Sequence, residues 1–305
     1  MGDMSPELRD IRYFAAVVEH GSLTRAASAL RVSQPTLTHA IARLEQQLEG
    51  PVWQRLRNRR AGVVPTELGR RVLERGRRAV FELDALAQDA ALLRGLGAGE
   101  LRVGTIQSLA STLLPLWVSR YSSEHPGIKL DLPLVTSAEA AGLVREGRLD
   151  AALVVAAQSE AGLTRMRCAE QEVVAVVRAD HPLAKARCVE LSALSGEHFV
   201  LVPAQRFAAV DLEAVCQKAG FRPQVRCRIA SIGGVCALVR AGVGVSLLPE
   251  GSVPPGDRSL CELRLARHAP RRAVHLLYRD DDHPSPALSA WLDVGRAVVG
   301  RARKR

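Results

Sequence analysis

Residues 22–49, SLTRAASALRVSQPTLTHAIARLEQQLE, decide the fold of the N-terminal region. Ser22 stands as an N-cap before a short helix, Leu23 to Leu30, in which Ala26, Ala27 and Leu30 are small or apolar on one face. After a turn at Arg31-Val32, Ser33 caps a second helix reaching about Leu48, with Pro35 in the first turn, where a missing N–H costs nothing. Leu37, Ile41, Leu44 and Leu48 recur at spacings of four, three and four and form its buried stripe. The other face displays Gln34, Thr36, Thr38, His39 and Arg43.

Upstream, Leu8, Ile11, Tyr13, Phe14, Val17 and Val18 have helical spacing, and Gly21 ends that run. Downstream, Val52, Trp53, Val63 and Val64 flank a basic tip containing Arg55, Arg57, Arg59 and Arg60, as two short strands around a turn would. Three helices and a basic hairpin in this order read as an all-α winged helix-turn-helix over residues 1–65. Its last helix fits the major groove of double-stranded DNA, with its N-terminal polar residues at base edges. Gln34 suits adenine, and Thr36 and Thr38 suit a thymine methyl or a phosphate. His39 and Arg43 suit a base or a phosphate, and the wing arginines suit phosphates or the minor groove. Ser22, Arg25, Ser33 and Pro35 complete the positions expected at the DNA surface. Charge agrees: the chain carries +10, and residues 1–80 hold 14 Arg and no Lys against 8 acidic residues, so that segment supplies +6.

Thr66 caps a helix with no proline before Gly95, in which Leu68, Val72, Ala79, Leu83, Leu86, Ala90 and Leu93 approximate a heptad seam. Roughly 28 residues make a rod of about 42 Å, expected to bury its seam against a copy of itself. Residues 66–95 are thus a linker and dimerisation helix. Gly95, Gly97 and Gly99 form a hinge, after which strands and helices alternate. Strands are expected at 101–104, 128–135 and 150–155 with helices at 109–123 and 138–146, which implies a mainly parallel sheet. A second group places strands at 173–178, 199–202, 224–229 and 244–247 and helices at 210–219 and 232–241. Strand 274–278 and helix 286–299 return to the first group. Residues 96–305 therefore form two α/β lobes, about 100–168 with 268–300 and about 169–267, with a cleft between them that suits a small ligand. Thr105, Gln107 and Ser108 follow the first strand at the positive end of a helix, and Thr136 and Ser137 follow the next. Gln205 and Arg206 face them from the second lobe. These residues suit a carboxylate or other anion. Ser108 and Ser137 equally suit helix capping, and Arg206 a solvated surface.

No run of about 18 apolar residues is present, and Met1 to Asp10 is polar with acidic residues, so a cytoplasmic chain without membrane contact is expected. The six cysteines form no CxxC pair, so neither a metal site nor a disulfide framework is indicated and no cofactor is expected. Cys216 and Cys227 raise a thiol-oxidation sensor, against buried structural cysteines in a helix and a strand. No nucleophile elbow, HExxH or phosphate-loop lysine supports an enzyme. A transport solute-binding protein would share the two lobes, but not the DNA-binding segment.

The chain resembles the LysR-type transcriptional regulators through Leu8-Arg-Asp-Ile-Arg-Tyr-Phe14, Gly21-Ser-Leu-Thr-Arg-Ala-Ala27, Val32-Ser-Gln-Pro-Thr-Leu-Thr38, Ile41-Ala-Arg-Leu-Glu45 and Pro65-Thr-Glu-Leu-Gly69. The resemblance continues through Gly104-Thr-Ile-Gln107, Leu113-Leu-Pro115, Gly147-Arg-Leu-Asp-Ala-Ala-Leu153, His181-Pro-Leu183 and Val239-Arg-Ala-Gly-Val-Gly-Val-Ser-Leu-Leu-Pro249. It implies a periplasmic-binding-protein-like effector domain, a homodimer through the long helix, commonly a dimer of dimers, and promoter DNA bent in response to a small co-inducer. His39 departs from the arginine frequent at its position, and Trp53-Gln54 from the usual Phe-Glu.

Overall fold

The computed structural model describes residues 5–55, 63–93, 99–155, 161–203, 210–267, 269–280 and 284–302. The chain divides into two compact units, residues 1–95 with 145–148 and residues 96–144 with 149–305.

The first unit opens with α1 (Leu8–His20), α2 (Leu23–Leu30) and α3 (Gln34–Gln47). Gly21 closes α1 in the left-handed region at φ 62°, where its N–H reaches the Val18 carbonyl. Arg31 does the same for α2 at φ 56°, a conformation that costs a side-chain-bearing residue about 1–2 kcal/mol. Phe14, Val17, Ala26, Leu37 and Leu44 are wholly buried where the helices meet. Each large apolar side chain so placed contributes about 1.5–3 kcal/mol. Leu30, expected inward beside the alanines, lies exposed at the end of α2.

Strands β1 (Trp53–Arg55) and β2 (Val63–Pro65) pair antiparallel, Gln54 opposite Val64. The expected wing tip, residues 56–62 with Arg57, Arg59 and Arg60, lies outside the described residues, as does the side chain of Arg55. Thr66 then caps α4 (Glu67–Arg71), its Oγ1 accepting from the Gly69 N–H at 3.0 Å. The helix expected to run unbroken from Thr66 contains one π-helical turn, Val72–Gly76, before α5 (Arg77–Leu93). Two glycines seven residues apart bring it close to the rest of the unit. A methyl group on Gly69 would lie 1.8 Å from the Val52 carbonyl oxygen, and one on Gly76 would lie 2.6 Å from Ile11 Cγ2. The extra residue in the wide turn rotates α5 about its axis relative to α4. Leu68 and Val72 pack on the helical core, whereas Ala79, Leu83, Leu86 and Ala90 are exposed.

The second unit begins with β3 (Gly99–Thr105), α6 (Gln107–Ala110), α7 (Leu114–Glu124), β4 (Ile128–Asp131), α8 (Ser137–Arg145) and β5 (Ala151–Val155). β3 lies between β4 and β5 and is parallel to both. β6 (Leu163–Arg178) is followed by β7 (Cys188–Val189), β8 (His198–Leu201), α9 (Leu212–Lys218), β9 (Gln224–Arg228), α10 (Ile232–Arg240), β10 (Ser246–Pro249) and β11 (Leu260–Leu265). β12 (Arg271–Arg279) and α11 (Pro286–Ala302) end the unit. One apolar core takes residues between Leu101 and Cys168 together with Val274 to Val294. Trp117 of α7 and Trp291 of α11 stack edge to face within it, 5.4 Å apart. A second core runs from Val173 to Leu265. The chain therefore passes between two lobes twice, near Gln171 and near Arg271.

The sheet is mixed, not mainly parallel. β12 is antiparallel to β5 and β6, and the second half of β6 is antiparallel to β10 and β11, while β8 and β9 pair parallel in a separate two-stranded sheet. The reason is the double passage: β6 and β12 cross in opposite directions and lie side by side along Leu163–Glu172, so each contributes an antiparallel neighbour. The helix expected over 109–123 is also divided. α6 is a single turn, and Pro115 falls in the first turn of α7, where it takes no N–H away from the helix.

Candidate functional site

The outward face of α3 is ordered by its own side chains. Ser33 Oγ accepts from the Thr36 N–H at 3.2 Å and shares a 2.7 Å hydrogen bond with the Thr36 hydroxyl. Thr38 Oγ1 donates to the Gln34 carbonyl at 3.1 Å, and across the turn Thr24 Oγ1 donates to Gln34 Oε1 at 3.1 Å. Gln34 is thereby held with its Nε2 as a donor. Pro35 and His39 are exposed beside these residues, and Arg25 is exposed on α2. Ser22 occupies the N-cap position of α2, yet its side chain makes no capping hydrogen bond. Side chains fixed in this way lose less freedom when a partner arrives.

Arg43 departs from the expectation that it faces DNA. Its Nε and Nη2 each donate to the wholly buried Asp10 carboxylate at 2.6 Å, and Nη2 also reaches Glu7 at 3.2 Å. Hydrogen bonding to Asp10 pushes the Arg43 pKa above its ordinary value. The charge is committed to joining α1 and α3, because a buried carboxylate requires a partner.

In the second unit the sequence-expected ligand residues collect at the C-terminal ends of β3 and β4. β3 sends the chain to β4 on one side and lies against β5 on the other, which makes the β3–β5 edge the switch point where α/β sheets place ligands. Thr105 and Ser108 are buried there, Ser137 is half-buried, and the three hydroxyl oxygens have no hydrogen-bond partner among the described residues. Thr136, not Ser137, caps α8, through its Oγ1 and the Glu139 N–H at 3.3 Å. Gln107 is exposed. Gln205 and Arg206 lie outside the described residues. A four-residue α6 carries little dipole, so the positive helix end expected behind Ser108 is weak.

Residues 8–70 match the family model for the bacterial regulatory helix-turn-helix protein, lysR family, and residues 94–300 match that for the LysR substrate binding domain. The chain belongs to the LysR family. Among relatives, the probable hydrogen peroxide-inducible genes activator of Mycobacterium leprae is 30% identical over 285 residues, covering 92% of this chain and 90% of that one. The full-length OxyR structure from Pseudomonas aeruginosa is 21% identical with a TM-score of 0.71, covering 96% of this chain and 94% of that one. The full-length structure of CbnR with its target DNA is 22% identical with a TM-score of 0.66, covering 96% and 99%. This LysR-family chain is accordingly a DNA-binding transcription regulator with an effector-binding domain, and not an enzyme.

Three polar residues of the LysR-family effector domain escaped the sequence reading. Thr112 Oγ1 donates to the Ser108 carbonyl at 2.8 Å, Gln171 Nε2 donates to Thr112 Oγ1 at 3.1 Å, and Arg272 donates to Gln171 Oε1 from Nε at 3.2 Å and Nη2 at 2.8 Å. The signal for Arg272 was parity. It stands two residues before Val274, on the same face of a strand, and so points inward. The thiols are the reverse case, since burial pushes Cys168 up to about 12 and Cys216 up to about 11, and raises Cys236.

Proposed function

We propose that this regulator reads a DNA operator with the N-terminal face of α3 and is switched by a small anionic effector bound between the two lobes of its second unit. The observation that carries the DNA half is the division of α3 into a buried stripe, Leu37, Ile41 and Leu44, and an opposite exposed face of Gln34, Thr36, Thr38 and His39. Gln34 and Thr38 reach base edges, His39 adds a base or phosphate contact, and Arg25, Ser22, Ser33 and the wing arginines hold phosphates. That CbnR has been solved on its target DNA supports a duplex as the partner. The effector half is supported by the hydroxyls of Thr105, Ser108 and Ser137, which have no hydrogen-bond partner among the described residues, with Gln107 and Thr136 beside them. Buried hydroxyls without partners are costly and fit a polar ligand.

The exposed residues Ala79, Leu83, Leu86 and Ala90 repeat at heptad spacing and support a homodimer through α5 that associates further into a dimer of dimers. Ligand in the cleft then shifts the balance between quaternary states that space the recognition helices differently, which requires unequal affinity for those states. The peroxide response in the M. leprae relative's name finds no counterpart in Cys216. Burial raises the Cys216 pKa to about 11, which disfavours the thiolate, the reacting form. The setting proposed is the cytoplasm, where DNA and metabolites are both available.

Binding of the full chain to randomised duplexes at several salt concentrations tests the DNA half. Gln34→Ala and Thr38→Ala are expected to relax base preference by about 1–3 kcal/mol at one or two positions. Arg25→Ala is expected to weaken all sequences alike and to reduce the salt slope by about 0.9. Equal effects of all three on base preference would contradict these roles.

A further inference from the structure

The face of β3 that carries Leu101 and Val103 reaches its end at Thr105. β3 and β4 pair in a constant register, Gly99 opposite Ile128 and Leu101 opposite Leu130, and the same offset sets Thr105 opposite Leu134 in a further parallel bridge. Two backbone hydrogen bonds close that bridge: the Thr105 N–H donates to the Pro133 carbonyl at 3.0 Å, and the Val135 N–H to the Thr105 carbonyl at 2.9 Å. Side chains alternate between the faces of a strand, and residues opposite one another in a ladder share a face. Ile128, Leu130, Leu132 and Leu134 thus make one row beside the row of Leu101, Val103 and Thr105. Ile128, Leu130 and Leu132 are half-buried against the apolar core of the lobe, whereas Leu134 is 56% exposed. Its neighbour Thr105 is 1% exposed, with a hydroxyl that has no hydrogen-bond partner among the described residues.

An exposed leucine is by itself ordinary. This one adjoins a buried hydroxyl in want of a partner, at the C-terminal end of the strands, where α/β sheets take ligands. Ser137, three residues beyond Leu134, also has a hydroxyl without a partner among the described residues. We propose that Leu134 is a specificity residue for an amphipathic effector, a carboxylate whose polar end accepts from the Thr105 hydroxyl and whose aliphatic or aromatic body lies on Leu134. This rests on the reading of the cleft as the effector site and narrows it from any small anion to acids that carry an apolar body. A ligand so placed takes Leu134 out of water in the same step that satisfies Thr105, so both contacts favour binding. A wholly polar anion satisfies the hydroxyl alone and leaves the leucine wet.

The test uses the full chain with sodium acetate, butyrate and hexanoate, which share one carboxylate and differ only in apolar length, chloride keeping the ionic strength constant. Thermal melts at rising concentration give the half-saturation of each acid. A methylene taken fully out of water is worth about fourfold. Hexanoate, with part of its chain left in solvent, is therefore expected to half-saturate at a concentration lower than acetate by about tenfold or more. Leu134→Ser should erase that ratio and leave acetate unchanged, and Leu134→Met, which keeps an apolar surface, should preserve it. Leu134 is exposed, so neither change disturbs the core. Thr105→Val should weaken all three acids alike and keep the ratio. Equal half-saturation by the three acids, or a ratio that Leu134→Ser leaves intact, would overturn the role of Leu134; the cleft reading stands in that case if Thr105→Val still weakens them all. No saturable response to any of the acids, or one indifferent to both Thr105→Val and Leu134→Ser, would overturn both.

Discussion

At the scale of single residues, Asp10 and Arg43 show how a charge can be taken out of a binding face by the fold. The carboxylate is wholly buried, whereas the guanidinium keeps 41% of its surface in solvent, so the partners are not equivalent. Arg43→Met leaves an ion buried without compensation, but Asp10→Asn leaves an arginine that can rehydrate. Arg43→Met is therefore expected to lower the melting temperature more than Asp10→Asn, and the double substitution to cost less than the sum of the two, as coupled sites do. Thermal denaturation of the four proteins measures this. A DNA-reading Arg43 would instead show altered base preference with an unchanged melting temperature. None of this was legible in the sequence, because Asp10 lies 33 positions away on another helix and the period of α3 places Arg43 beside the polar residues. Ser33 was legible, because the capping bond it makes is local: its oxygen reaches the Thr36 N–H three residues on.

Elements divide in the same way between local and distant causes. α1, α2 and α3 fall where capping residues and apolar spacing put them, since Gly21, Ser33 and the stripe Leu37, Ile41, Leu44 each act within one turn or one helix face. The first half of β6 was not legible: Thr164, Arg165, Arg167 and Glu170 make it polar, and it is a strand because β12 lies along it. β11 is likewise held by pairing with β6 and β7. β12 itself carries a consequence for pH. Burial, with the charges of Arg165 and Arg167, pushes His275 below its ordinary value of 6.5, and Arg167 is its cross-strand partner. Its Nδ1 has no partner among the described residues. Above 6.5 the imidazole is neutral in both states and contributes no penalty. As pH falls through 6.5 the unfolded chain takes up the proton first, and stability is lost until the lower folded value is passed. His275→Leu is expected to flatten the fall in melting temperature between pH 7.5 and pH 5, measured in buffers of matched ionic strength. An equal slope in both proteins would remove His275 as its source.

For the whole molecule, the proposed dimerisation through the long helix makes a testable difference to how many recognition helices meet the DNA. In the single chain Leu83 is 44% and Leu86 63% exposed, an arrangement that wastes apolar surface unless a second copy covers it. The sequence suggested a heptad seam from Leu68 to Leu93, but gave no sign of the π-helical turn at Val72–Gly76. Leu68, Val72 and Val80 pack on the winged helix-turn-helix core, while Ala79, Leu83, Leu86 and Ala90 are exposed. Because Leu83 and Leu86 are exposed, changing both to Glu leaves the core of each unit intact and should not alter the melting of the monomer. It should halve the mass seen by sedimentation equilibrium. Two half-sites bound by one dimer gain from effective concentration, so the same double substitution is expected to weaken operator binding by about 10²–10⁴-fold at fixed salt. Binding to a single half-site should barely change, since α3 and its contacts are untouched. A variant that keeps its mass would show that another surface joins the copies, and a halved mass with undiminished operator affinity would show that one recognition helix suffices.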